Sequence, residues 1–291
     1  MLFSVVEKNA TLLWSKDPLQ DLLMFKRATQ LVCSATLLAS SFVQADALID
    51  ALADEGRPTE QRLRDEYRHP QQTLRFFEVQ EDMAVAEISP GGGWYSNILA
   101  PLLKEKGEFY AAHFYVDENT NEFYKKSREQ FEQKVTALKS YQNVKVTTFH
   151  PMKATDFAPA ESLDRVLTFR NIHNWYMQDG DEGVENAFKA FYKALKVGGV
   201  LGVVEHSLRE SQSSALQQSS GYMKQSYVIA LAEKAGFTLA GKSDINANKL
   251  DSGEHEKGVW TLPPSLRLGE KDQAKYLKIG ESNRMTLKFV K

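Results

Sequence analysis

Apolar runs and amphipathic segments alternate along the chain from residue 83 to residue 291. The strand-length runs are Met83–Ile88, Glu108–His113, Val144–Phe149, Leu163–Phe169, Val200–Glu205, Phe237–Lys242 and Met285–Val290. The predicted helices are Ser96–Lys104, Glu118–Ser140, Glu182–Lys196 and Tyr222–Ala235. This alternation predicts an α/β fold with a doubly wound, mostly parallel, Rossmann-like sheet of about seven strands.

Two segments do not follow this alternation of strands and helices. Asp46–Val79 is predicted to form N-terminal helices, broken at Arg57-Pro58 and at His69-Pro70, because proline ends or starts a helix. Asn246–Ser282 is rich in glycine and proline around a short helical piece at Lys271–Leu277. We interpret it as an insertion before the last strand, serving as a flap over the site.

The N-terminal residues have the order of a secretory signal. A basic stretch, Met24–Arg27, precedes the apolar Ala28–Phe42 and the small-residue ending Val43-Gln44-Ala45. We therefore predict a signal peptide at Met24–Ala45 after an upstream segment, with 46–291 as one domain. The predicted location is periplasmic or secreted, and cytoplasmic if the signal is not used. A buried N-terminal helix is the alternative.

Composition narrows the set of partners. With 42% hydrophobic and 25% charged residues and a net charge of −2, the chain suits a globular domain acting on a small molecule. This charge gives no reason to expect nucleic acid or an anionic membrane as a partner, and the apolar stretch is too short for a stable membrane span. Its only cysteine, Cys33, lies in the predicted signal, which leaves no disulfide or thiolate chemistry to the mature chain. The sequence leaves the oligomeric state open.

The segment after the first predicted strand carries the main chemical signal. Glu87 near the strand end leads into Ser89-Pro90 and then three glycines, Gly91–Gly93, followed by Trp94-Tyr95 and a helix. Glycines keep side chains away from a ligand, and the helix start offers free N–H groups. This unit is typical of nucleotide-like ligand sites.

A second polar cluster follows the fourth predicted strand. Arg170, Asn171 and His173 come directly after Phe169, at the edge of the sheet where ligands bind in doubly wound folds. His173 is the candidate base, and His206, after the fifth strand, is the second candidate. Arg170 can hold a carboxylate in its two-pronged fork. The structural alternative is that these residues cap a strand and satisfy buried carbonyls.

The glycine segment Glu87–Gly93 resembles the first motif of class I S-adenosylmethionine-dependent methyltransferases, with Ser89 in place of the usual first glycine. Asp164–Phe169 resembles the fourth strand of that family, and Ala194–Leu201 its helix–Gly-Gly–strand step. The segments Thr168–Trp175, Gly258–Pro264 and Gly280–Thr286 are similar to an exported, predicted branch of the family.

The resemblance implies S-adenosylmethionine as the cofactor and Met285–Val290 as a reversed final strand. The cofactor-binding residues it suggests are Glu87, Ser89, Pro90, Gly91, Gly92, Gly93, Trp94, Tyr95, His113, Asp156 and Asn171. The suggested catalytic residues are His173, Arg170, Asn171 and His206.

The sequence departs from the family at two cofactor contacts. His113 stands where an acid usually binds the ribose, and Asp117 and Glu118 are the acids that can replace it. Asp156 is the nearest acid after the third strand, where adenine is often held.

Two other functions stay open. Gly91-x-Gly93-x-x-Ser96 is one residue short of a dinucleotide fingerprint, which allows a nicotinamide-dependent oxidoreductase. An exported binding protein that keeps the fold without methyl transfer is the third interpretation. No metal site is predicted, since the histidines and acids lack ligand spacing such as His-x-x-x-His.

Overall fold

The computed structural model describes residues 47–291. The predicted signal peptide at Met24–Ala45 lies outside these residues. Within them, no helix is both long enough and apolar enough to cross a membrane.

Eight strands form one sheet in this part of the chain. They are β1 (Ala84–Ile88), β2 (Glu108–Phe114), β3 (Val144–Phe149), β4 (Leu163–Phe169), β5 (Leu195–Leu208), β6 (Met223–Lys224), β7 (Thr238–Ser243) and β8 (Arg284–Val290). The helices are α1 (residues 47–53), α2 (Thr59–Arg62), α3 (Asp65–Arg68), α4 (Pro70–Phe76), α5 (Ser96–Leu103), α6 (Glu122–Ala137), α7 (Ile172–Ala194), α8 (Gln217–Ser220), α9 (Gln225–Lys234) and α10 (Gln273–Ile279).

The sheet has the order β3-β2-β1-β4-β5-β8-β7, with β6 paired to the end of β5. Strands β1 to β5 are mutually parallel, and β8 runs antiparallel to both of its neighbours. The predicted doubly wound sheet with a reversed last strand is therefore confirmed. Strand order reverses between β1 and β4, and ligands bind at such a switch point in open α/β sheets.

Two apolar cores flank the sheet. One lies between the sheet and helices α7 and α9, around Phe188 and Phe191. The other lies between the sheet and helices α4 and α5, around Leu74 and Ile98. Because both faces are covered, β1 is almost wholly buried, Glu87 included, as its mostly apolar sequence predicts.

Prolines mark the N-terminal helices as expected. Helix α2 begins directly after Pro58, and Pro70 is the first residue of α4, where its missing N–H costs nothing.

One predicted helix is preceded by a further helical piece, and another predicted helix starts later. Helix α7 consists of two helical pieces separated by Gly180, whose φ of 62° and ψ of −150° are not helical, so the first piece begins at Ile172 and the predicted start at Glu182 lies near the beginning of the second. His173 therefore lies in the first turn of a helix and not in a loop. Helix α9 begins at Gln225 rather than Tyr222, because Met223–Lys224 pairs with the end of β5.

The insertion between β7 and β8 is present and anchored. Buried Asp251 accepts hydrogen bonds from the Tyr222 hydroxyl at 2.8 Å, from His255 Nε2 at 2.8 Å and from the Asn283 backbone N–H at 2.7 Å. These bonds hold the insertion to the body of the domain near the ends of β5 and β8.

Candidate functional site

The turn after β1 has the backbone that its glycines allow. Gly91 and Gly93 have φ of 57° and 74°, in the left-handed region that favours glycine. Ser89 also has a positive φ, 50°. Ser89 thus keeps a backbone that glycine adopts more easily. A Cβ built on Gly91 or Gly92 meets nothing within 4 Å, so this turn borders open space.

His113 supports this turn from inside the protein and does not face a ligand. Its Nδ1 accepts the Phe114 backbone N–H at 2.9 Å, so Nε2 carries the proton and donates to the Gly91 carbonyl at 3.0 Å. The side chain is fully buried, and burial lowers the pKa of His113 to about 4. Both ring nitrogens of His113 thus bond within the protein, and neither cavity described below includes His113 in its lining.

Glu87 lies under the same turn. It is buried, and Ser96 Oγ donates to its carboxylate at 2.5 Å. Burial raises the pKa of Glu87 to about 7, against the lowering effect of the Ser96 hydrogen bond. Glu87 is therefore an acid poised near neutrality at the end of the central strand.

Two adjoining cavities open at the switch point. The smaller cavity, of 280 Å³, is lined by residues that follow β2, β3 and β4: among them Phe114, Asp117, His150, Lys153, Asn171 and Trp175. The cleft, of 570 Å³, is lined by the glycine turn, the N-terminal helices and the end of β4. Ser89, Phe114 and Asn171 line both cavities. Their sizes are those of small-molecule sites.

Most predicted cofactor residues line the cleft. They are Glu87, Ser89, Pro90, Gly91, Gly92, Trp94, Tyr95 and Asn171. Gly93 shapes the turn without lining the cleft, and Phe131 packs against its Cα side, 2.9 Å from where a Cβ would stand. Tyr95 stacks on Phe169 with ring centroids 3.6 Å apart.

Asp156, predicted to bind the cofactor, lies outside both cavities. Its carboxylate pairs with Lys193 at 2.7 Å on the surface, with 75% of the side chain exposed. Asp117 is the acid that lies in the smaller cavity instead. Its carboxylate pairs with Lys153 at 2.8 Å, and hydrogen bonds from Lys153 and Thr120 lower the pKa of Asp117 to about 2.

Asn171 joins the two strands of the switch point. Its Nδ2 donates to the Ile88 carbonyl at 2.8 Å and to Thr168 Oγ1 at 3.2 Å. It therefore ties the end of β4 to the end of β1 while it lines both cavities. Arg170, directly before it, lines the cleft with a left-handed φ of 61°.

The two candidate bases lie apart from these cavities. His173 Nδ1 hydrogen-bonds to Glu205 Oε1 at 2.9 Å, and His206 Nδ1 pairs with Ser282 Oγ at 2.6 Å. The two imidazole rings are 5.2 Å apart, and Trp260 of the insertion lies 6.1 Å from His173. Neither histidine lines the smaller cavity or the cleft.

Burial and charged neighbours affect this pair of histidines. Burial, and then the charge of His173, lower the pKa of His206 well below its usual value. His173, Glu205 and His206 offer ligand atoms within 4.8 Å of one another, a grouping that their positions in the sequence did not predict. However, the Glu205 oxygens already accept the His173 Nδ1–H and the His206 backbone N–H, and nearby arginines repel a cation.

No protein-family model matches this sequence, and no curated protein matches it. Solved structures do resemble it. A protein assigned as a sarcosine dimethylglycine methyltransferase from Galdieria sulphuraria has a TM-score of 0.52 at 11% identity, with 79% of this chain and 86% of that chain covered. The [4+2]-cyclase SpnF has a TM-score of 0.50 at 14% identity, with 82% and 84% covered. A SAM-dependent methyltransferase from Aquifex aeolicus has a TM-score of 0.48 at 19% identity, with 63% and 87% covered.

The chain has the Rossmann-like fold of the SAM-dependent methyltransferases. At these identities the likeness establishes the fold alone, and one of the structures is named as a cyclase, so the reaction has to be argued from the site.

The sequence did not predict a group of charged residues in the cleft. Arg64 and Arg68, from the N-terminal helices, line it and pair with Glu281 at 2.6 and 3.2 Å. Glu281 comes from the end of the insertion, more than 210 residues away along the chain. No local sequence pattern predicts a contact between residues so far apart in the chain. Glu281 does belong to the Gly280–Thr286 segment, which carries part of the family resemblance described above.

Proposed function

We propose that this protein is an S-adenosylmethionine-dependent methyltransferase that acts on a small molecule. The observation that carries the proposal is the bare Gly91–Gly92 backbone, which borders the cleft at the switch point of a methyltransferase fold. When bound, S-adenosylmethionine supplies an electrophilic methyl group.

The lining of the two cavities fits the parts of this cofactor. The smaller cavity offers the Asn171 amide, the Asp117 carboxylate and the Trp175 ring to a nucleoside. The cleft offers the Gly91–Gly92 backbone and the Glu87 carboxylate to the methionyl part, whose ammonium group suits an acid. Because the two cavities share Ser89, Phe114 and Asn171, one elongated ligand can occupy both.

His173 is the proposed base for the acceptor proton. The Glu205 carboxylate accepts the Nδ1–H of His173, which leaves Nε2 as the proton acceptor. Trp260 covers this imidazole, while Pro264, four residues further along the insertion, lines the cleft. Glu205 acts as the positioning residue of His173.

The cofactor proposal is tested by thermal unfolding of the purified protein with S-adenosylmethionine, S-adenosylhomocysteine or NAD. A ligand that binds only the native state raises the melting temperature with its concentration. We expect a saturable rise with the first two compounds. No rise at millimolar concentrations favours the binding-protein alternative, and a rise with NAD alone favours the oxidoreductase.

Gly92→Leu is the matched variant for this test. Gly92 lacks a positive φ and a Cβ there meets nothing within 4 Å, so the variant can fold, yet its side chain enters the ligand space. We expect it to melt near the wild-type temperature and to lose the ligand-dependent rise. A full rise with Gly92→Leu places the ligand elsewhere.

We also propose that Met24–Ala45 directs export. The support is the order of basic, apolar and small residues in the sequence. Mass spectrometry of the mature N-terminus tests it: a start at Asp46 is expected, and a start at Met1 or Met24 contradicts it.

A further inference from the structure

Three guanidinium groups meet in the cleft. Arg64 and Arg68 reach it from the N-terminal helices, and Arg170 reaches it from the end of β4. They come from opposite sides of the glycine turn, so the fold, not the local sequence, gathers them.

Few acidic side chains pair with these three guanidinium groups. Glu281 is the shared partner of Arg64 and Arg68, and Arg284 also binds it. The acids that line the cleft are Glu60, which is exposed, and Glu87, which the Ser96 hydroxyl holds.

Several donors of the cleft lack an acceptor. Within residues 47–291, the Arg170 guanidinium makes no hydrogen bond. Arg64 Nη2 and Trp94 Nε1 are buried and without a partner in the same part of the chain. Trp94 is only 7% exposed, and it lines the cleft beside Arg68, whose guanidinium carbon lies 4.7 Å from the ring centroid. Buried donors without acceptors are costly, so Arg64 Nη2 and Trp94 Nε1, with the half-buried Arg170 in the same lining, are suited to an anion.

The charges also repel one another. Burial, and then the charge of Arg170, lower the pKa of Arg68 well below its usual value, although Glu281 raises it. Burial, and then Arg284, lower the pKa of Arg170 to about 10. Burial is the larger cause in both residues, and Glu281 raises both pKa values in opposition to the neighbouring arginines.

The cleft lining also contains aromatic residues, beside polar ones such as Gln61, Ser89 and Asn171. Trp94, Tyr95, Phe169 and Phe114 line it together with Pro264 of the insertion. Tyr95 and Phe169 are stacked, which presents a rigid aromatic wall beside the cations. A ligand that matches both features has a flat apolar body and a negatively charged end.

We propose that the methyl acceptor is a small carboxylic acid with a flat apolar body, bound through its carboxylate by Arg170 together with Arg64 and Arg68. This proposal rests on the proposed methyltransferase function, because a methyl acceptor exists only if the protein transfers a methyl group. Arg64 and Arg68 already pair with Glu281, so the donors left for a ligand carboxylate are the Arg170 guanidinium, Arg64 Nη2 and Trp94 Nε1, which lack a partner within residues 47–291. The planar fork of arginine matches a carboxylate in two parallel hydrogen bonds.

The test uses benzoate as the probe, with benzamide as its neutral isostere and inorganic phosphate as a competing oxyanion. Binding to the full-length protein is measured by calorimetry and by the fluorescence change of its tryptophans, in the presence of saturating S-adenosylhomocysteine. We expect benzoate to bind at least tenfold more tightly than benzamide, because benzamide lacks the charge. Equal affinity for the two, or displacement of benzoate by phosphate at equal concentration, overturns the proposal.

Arg170→Gln removes the cation without a protein partner. We expect it to weaken benzoate binding at least tenfold while the protein unfolds at the same temperature or higher. Arg170→Lys keeps the charge without the fork and should fall between the two. Arg75→Gln, which removes an exposed arginine outside the cleft, is the control and should leave benzoate affinity unchanged.

Three results separate this proposal from the function on which it rests. Binding of S-adenosylhomocysteine without any binding of benzoate overturns the carboxylate site and leaves the methyltransferase function standing. Benzoate binding that S-adenosylhomocysteine abolishes also overturns it, because the arginines then serve the cofactor. Benzoate binding in a protein that binds no S-adenosylhomocysteine supports the anion site and contradicts the methyltransferase function.

Discussion

His113 makes the stability of the glycine turn depend on pH. The ring is neutral in the folded protein, with a pKa of about 4, while in the unfolded chain a histidine has its usual value near 6.5. Below pH 6.5 the unfolded chain therefore binds a proton that the folded protein excludes. The contribution is absent above pH 6.5 and becomes increasingly unfavourable as the pH falls toward 4.

The size of this effect follows from the two pKa values. Between pH 7 and pH 5, proton uptake by His113 in the unfolded chain costs about 2 kcal/mol of the free energy of unfolding. The variant His113→Gln removes the titrating group and keeps an N–H donor for the Gly91 carbonyl. At pH 7 we expect it to be less stable by about 1–3 kcal/mol, because the Phe114 N–H loses its acceptor.

The assay is urea denaturation of wild type and His113→Gln at pH 7 and pH 5, followed by far-UV circular dichroism. The difference in free energy of unfolding between the two proteins should shrink by about 2 kcal/mol at pH 5. Comparing the proteins at each pH cancels the titration of other groups, such as Glu87. A difference that is the same at both pH values would refute the neutral buried imidazole.

Three other perturbations test the site. Asp117→Asn should weaken binding of S-adenosylmethionine in calorimetry, whereas Asp156→Asn, on the surface, should leave it unchanged; equal effects would contradict the placement of Asp117 in the smaller cavity. Glu205→Gln should lower the free energy of unfolding in urea by about 1–3 kcal/mol, because an amide cannot accept every N–H that the buried carboxylate accepts, and unchanged stability would argue against those bonds. Ser89→Gly should raise the free energy of unfolding by about 1 kcal/mol by relieving the left-handed backbone, and a loss of stability would show that the Ser89 side chain matters more than its φ.

The sequence by itself determined most of the sheet and the position of the turn. Ala84–Ile88 is apolar apart from Glu87, and Leu163–Phe169 is apolar apart from Asp164, Arg165 and Thr168, because both faces of these strands are covered, so their pattern is visible locally. The turn at Gly91 and Gly93 could be predicted as well, because a left-handed backbone depends on a few neighbouring residues. The first helical piece of α7, from Ile172 to the break at Gly180, was not predicted as a helix.

The sequence predicted only part of the candidate site. Eight of the residues proposed for the cofactor line the cleft, because a switch point places strand ends at one edge of the sheet. The sequence did not predict the direction in which each side chain points. His113 points inward to the turn, Asp156 outward to Lys193, and His173 toward Glu205 under the insertion.

Only the tertiary structure decided the charge of the cleft. Arg64, Arg68 and Arg170 lie in separate segments, and Glu281 reaches the first two across more than 210 residues. Strand and helix formation depend on neighbours within one segment, and a linear pattern records them. Charges that meet in a cleft depend on how distant segments pack, which the order of residues along the chain does not record.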